Sequence, residues 1–94
     1  MTNESPVPPL SAQAQGFKPG VYEHYKGGLY DALFVGRSSE AREEEFVVYR
    51  SQEKGFIWIR PLAMFLGSVM IDGAEKPRFL FIREAAYPFT EKKS

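Results

Sequence analysis

Cysteine is absent from this sequence. Disulfides, thiolate metal sites and a cysteine nucleophile are therefore excluded, and a reducing compartment suits the chain. Histidine is scarce: His24 stands alone, so there is no multi-histidine metal centre. An excess of one charge is also missing. Twelve Lys and Arg balance twelve Asp and Glu, which leaves no overall positive field to draw phosphate. Apolar runs are short, far below the roughly 20 residues that span a bilayer. The opening residues MTNESPVPPL lack the basic start and the apolar stretch of a secretory signal. The expectation is a soluble, cytoplasmic protein with no membrane partner. No glycine-rich dinucleotide fingerprint, phosphate loop or nucleophile elbow is found. No cofactor, metal or catalytic set is expected, and the chain is not expected to be an enzyme.

What is there suits one small domain: 94 residues, 44 % of them hydrophobic. Three of the seven prolines fall in the first nine positions, so residues 1–18 read as a flexible proline-rich tail. Residues 84–94 read as a polar C-terminal tail, and 19–83 as the folded body. Period two dominates that body. Pro19-Gly20 reads as a turn, and strands are expected at Val21–Tyr25, Leu29–Gly36, Phe46–Arg50, Phe56–Arg60 and Arg78–Arg83, with a brief extended piece at Val69–Ile71. Lys26-Gly27-Gly28 and Asp72-Gly73 read as tight reversals. The second strand changes phase midway, which predicts a bulge or bend there. Pro61 to Gly67 predicts a short helical turn, with proline at its start and glycine beyond its end. Strands this short must curl or pack as two sheets. The fold expected is mainly β: a small SH3-like or Tudor-like barrel of five or six short strands, with one short helical turn before the last.

Aromatic residues make up 15 % of the chain and are its best material for a binding surface. In the segment FIWIR, Ile57 and Ile59 share one face and Trp58 and Arg60 the other. The β-branched pair is expected to face the core, so that Ile59→Ala costs about 2–5 kcal/mol. Trp58 and Arg60 then project outward. With Tyr22, His24, Tyr25, Lys26, Tyr30 and Tyr49 they are the candidate ligand contacts. Such a groove suits a base, a cationic side chain or a proline-rich peptide. The alternative is that Trp58 plugs the barrel and Arg60 pairs with Glu23 or Asp31. His24 likewise has two readings, a general base or a structural residue bonded to backbone. Glu43, Glu44 and Glu45 read as a solvated charge run.

Four blocks carry a family resemblance. They are Tyr22-Glu23-His24-Tyr25-Lys26-Gly27, Val47-Val48-Tyr49, Trp58-Ile59-Arg60-Pro61 and Met64-Phe65, with Tyr30 between the first two. In order and spacing they resemble the small bacterial family known as domain of unknown function sixteen-fifty-three. Its members carry a second histidine after the second strand, where this chain has Gly36-Arg37-Ser38-Ser39-Glu40. The resemblance implies a small β-rich module and supplies no activity, cofactor or substrate. From the residues themselves, the expected function is a non-catalytic binding module for a peptide or for single-stranded nucleic acid. A structural or homo-oligomeric role is the alternative, and a small hydrolase using His24 the weakest reading.

Overall fold

The structure is a computed structural model and describes residues 7–87. The elements run α1 (Ala12–Gln15), β1 (Gly20–His24), β2 (Leu29–Arg37), β3 (Glu45–Ser51), β4 (Ile57–Pro61), α2 (Leu62–Phe65), β5 (Ser68–Ile71), β6 (Ala74–Pro77) and β7 (Phe79–Glu84). Five strands form an antiparallel sheet in the order β4-β3-β2-β1-β7, while β5 and β6 form a separate hairpin. The fold is therefore mainly β, as expected. Among the described residues β4 and β7 do not pair with each other, so the large sheet is open-edged and not a closed barrel. Among the described residues there are seven strands rather than five or six, and the β5–β6 hairpin comes between the helical turn and the last strand.

The turns form where glycine accepts a positive φ. Gly27 and Gly28 have φ of 99° and 92° in the β1–β2 reversal, and Asp72 and Gly73 have φ of 50° and 77° between β5 and β6. The phase change in β2 is a bulge. The β2–β3 register shifts between Ala32 and Phe34, so Ala32 and Val35 both turn towards the core on either side of it.

One face of the large sheet holds the core. Tyr22, Ala32, Val47, Tyr49, Leu62, Phe65 and Phe79 are buried together. Their rings interlock: Phe65 stacks on Phe79 at 4.1 Å, and Tyr22 and Tyr49 meet Phe65 edge-on at 5.2 and 5.3 Å. Helix α2 lies across this face because Leu62 and Phe65, three residues apart, reach into it together.

The N-terminal segment is not wholly a tail. Ser11 caps α1 by accepting from Ala14 N–H, and Glu45 holds Ser11 through its N–H and hydroxyl at 2.8 and 2.6 Å. This docks Ala14 in the core, with Leu10 and Phe17 against it. Residues 1–6 and 88–94, parts of the two expected tails, lie outside the described residues.

The opposite face is apolar and open. Ile59, Val48 and Phe34 line up across β4, β3 and β2. Ile57 and Ile59 are 63 % and 66 % exposed. The expectation that these isoleucines face the core is wrong. Positions 58 and 60 of β4 pair with buried Tyr49 and Val47, so Trp58 and Arg60 are the inward-directed residues. The β-branched pair misled because β4 is an edge strand, and the core beside it is built from rings on β1, β3, β7 and α2. On this geometry Ile59→Ala removes little buried surface, and the figure given above for a core deletion does not apply to it.

Candidate functional site

The reversal at Lys26–Gly28 and the β3–β4 turn come together at one end of the inner face. Between them opens a cleft of about 490 Å³, lined among others by Lys26, Tyr30, Lys54, Phe56 and Trp58. Each wall has a local cause. Gly27 and Gly28 bend the first turn so that Lys26 lies beside the cleft mouth, and Gly55, at φ of 77°, sets Lys54 and Phe56 on the second. Trp58 is directed inward by its pairing with Tyr49 but extends past the core, and is 49 % exposed. Phe56 meets its indole edge-on at 6.0 Å.

Of the eight residues singled out from the sequence, Lys26, Tyr30 and Trp58 line the cleft directly. His24, Tyr25 and Arg60 lie beside it and are half-buried. Arg60 donates from Nε to the Tyr49 hydroxyl at 3.1 Å and extends over the Phe79 ring. Its pairing with Glu23 or Asp31 is not found. Asp31 is bonded instead to Arg50, Gln52 and Tyr87 on the other face. Burial acts to raise the Asp31 carboxyl, but the bonds from Gln52, Arg50 and Tyr87 outweigh it and hold the group below its ordinary value. Tyr22 and Tyr49 are core residues at 5 % and 4 % exposure, not cleft contacts. The Tyr22 hydroxyl donates to the Lys18 carbonyl, and burial pushes its pKa up to about 12.

Sequence reasoning missed Lys54, Phe56 and Arg78. The signal for the first two was Lys54-Gly55-Phe56, a glycine turn that sets a cation and a ring directly before the Trp58 strand. Arg78 carried no such mark.

His24 accepts a hydrogen bond at Nδ1 from the Lys26 N–H, at 3.1 Å. Burial lowers its pKa, and the charges of Arg60, Arg78 and Lys26 lower it further. Among the described residues no three His, Asp or Glu side chains converge as metal ligands, and no helix is long and apolar enough to cross a membrane. The arrangement can stack a planar group on Trp58 and Tyr30 and neutralise negative charge with Lys26, Lys54 and Arg60.

Comparison with known proteins agrees with the sequence resemblance. Residues 20–81 match a family described as "Protein of unknown function (DUF1653)". A crystal structure of a protein belonging to DUF1653 from Bordetella bronchiseptica is similar in fold. Its TM-score is 0.66 at 33 % identity, over 80 % of this chain and 99 % of that one. The search of curated proteins returns no match. The four sequence blocks, the matched span and the shared fold place this chain in the DUF1653 family.

Proposed function

We propose that the protein is a non-catalytic binding module and that its cleft takes single-stranded nucleic acid. The observation that carries this reading is a segregation of charge and rings within a neutral chain. Lys26, Lys54, Arg60 and Arg78 border the end of the sheet where Trp58, Tyr30 and Phe56 are accessible, and among the described residues Glu53 is the one acid lining the cleft. Accessible rings flanked by cations suit bases joined by phosphates better than an uncharged proline-rich peptide, which needs no cations. Net charge does not decide the matter, because a local patch acts within about a Debye length, roughly 8–10 Å. The strand order β4-β3-β2-β1-β7, with a helical turn directly after β4, supports an SH3-like or Tudor-like reading of the fold.

Trp58 is the single tryptophan, so its fluorescence reports on the cleft alone. Oligo-deoxythymidine is expected to quench it. The logarithm of the binding constant should fall with the logarithm of salt at a slope of about −3 if four cations meet phosphates. Quenching by a proline-rich peptide with a flat salt response, and none by the oligonucleotide, would replace this ligand class with the other.

The exposed Ile57–Ile59 face favours a second reading, pairing of two copies across the outer side of the sheet. Sedimentation at rising concentration tests it: a dimer supports the reading, and a strict monomer removes it.

A further inference from the structure

Among the described residues Lys26, Arg60 and Arg78 have no anionic partner. The imidazole of His24 and the guanidinium of Arg60 share the ring of Phe79, with separations of 5.0 and 6.0 Å from its centroid. Lys26 follows His24 by two residues, and its Nζ lies 5.7 Å from the centre of the Tyr25 ring. Arg78 directly precedes Phe79 and donates from Nε to the Met64 carbonyl at 3.2 Å. Among the described residues the partners of these three cations are a hydroxyl, a carbonyl and two rings, and none is a carboxylate. Like charges gathered without a counter-ion repel one another, and an anion placed among them relieves that repulsion.

His24 is arranged to respond. Its Nδ1 accepts the Lys26 N–H and so carries no proton. Among the described residues the charges that bear on it are positive: Lys26 on the reversal, Arg60 on β4 and Arg78 before β7. The other titratable side chains against it, Tyr25 and Tyr30, present their rings.

We propose that Lys26, Arg60 and Arg78 form a phosphodiester-binding subsite, with His24 as its proton-linked fourth contact. This deepens the single-strand reading of the cleft and rests on it. Trp58 and Arg60 lie two residues apart on the same side of β4, a separation of roughly 7 Å along a strand. A base stacked on the indole therefore leaves its phosphate within reach of the guanidinium.

The linkage has a definite sign. Free His24 has a pKa below its ordinary 6.5, held there first by burial and then by the three cations. A phosphodiester anion among those cations offsets them and favours the imidazolium, so binding raises the pKa and takes up a proton. Protonation at Nδ1 gives up the hydrogen bond from the Lys26 N–H, so the gain on binding is the attraction of the imidazolium for the anion less the cost of that bond. Affinity therefore increases as pH falls from above the bound pKa towards the free one, then levels off. The phosphodiester keeps its single charge throughout, so the change belongs to the protein.

As the sole histidine, His24 gives one imidazole Cε1–H signal in a proton NMR titration of the full chain. The titration is run free and with an abasic phosphodiester oligomer, which has no base to stack. The expected result is a His24 pKa raised by about one unit in the presence of the oligomer. Lys26→Gln, on an exposed turn, and Arg60→Gln should each reduce the rise by half or more. An unchanged His24 pKa at millimolar oligomer overturns the subsite, as does a rise that both variants leave intact. The two readings separate cleanly. If the abasic oligomer shifts His24 while base-bearing strands leave Trp58 fluorescence unaltered, the subsite stands and the stacking cleft falls. The converse result leaves the cleft and removes the subsite.

Discussion

Replacing Phe65 by alanine should lower stability by roughly 3–5 kcal/mol. Phe65 is 1 % exposed and meets four rings: Phe79 at 4.1 Å, Tyr22 at 5.2 Å, Tyr49 at 5.3 Å and Phe17 at 6.3 Å. It is also half of the pair, with Leu62, by which α2 is held on the sheet. Truncation removes the buried ring area and leaves a cavity that rigid aromatic neighbours cannot easily fill. A chain of this size has a total stability on the order of 5–15 kcal/mol, so the loss is a large share of the whole. Thermal unfolding followed by circular dichroism should show a midpoint lowered by about 12–40 °C, or no cooperative transition. A drop of only a few degrees would mean that the ring cluster is not the core.

Gly20→Ala is the second large effect, and it acts on the backbone. A Cβ at Gly20 would lie 2.1 Å from the Arg83 carbonyl oxygen and 3.0 Å from the Glu84 Cα. Both are main-chain atoms of β7, so no side chain can swing aside and the strand itself must shift. That shift breaks the pairing of Gly20 with Glu84 and of Val21 with Arg83, where β7 joins the sheet. Overpacking of this kind costs about 1–3 kcal/mol, more when backbone must move. Hydrogen exchange should show lost protection in β7 together with a reduced melting temperature. Gly36→Ala is the control, since a Cβ there meets nothing within 4 Å, and its effect should stay below about 0.5 kcal/mol. Equal behaviour of the two variants would contradict the close approach of β1 and β7.

These two positions also mark how much was legible beforehand. Gly20 reads as a turn residue from Pro19-Gly20, yet its structural role is to let two strands approach. Local sequence carries no trace of a strand partner 64 positions away. The five strands of the large sheet, the two glycine reversals and the bulge in β2 were legible because each follows from alternation or from φ at adjacent residues. Helix α1 was hidden behind the prolines preceding it, and β6, with the sequence Ala-Glu-Lys-Pro, has no apolar alternation to reveal it.

The candidate site was legible by residue type more than by direction. Alternation groups Trp58 and Arg60 on one face, as the structure does, but the isoleucines opposite them point that face to the wrong side of the sheet. Alternation fixes which residues go together and is silent on which set faces inward. Residue character has to decide that, and on an edge strand beside an aromatic core it points the wrong way. The cleft nonetheless forms, because the inward-directed indole overhangs the core and is left accessible between two glycine turns. Tyr22 and Tyr49 could not be distinguished from Tyr30 in the sequence, since only the packing of α2 separates the covered rings from the accessible one.

On the proposed function the working face of β4 is the one bearing Trp58, not the one bearing the isoleucines. Calorimetric titration of oligo-deoxythymidine into Trp58→Ala and Ile59→Ser tests it most directly, both variants first being shown to melt cooperatively. Removing one stacking ring is worth about 1–3 kcal/mol, so Trp58→Ala should bind roughly 5- to 150-fold more weakly, while Ile59→Ser binds like the parent chain. Unchanged affinity in Trp58→Ala, or a loss confined to Ile59→Ser, would contradict the account.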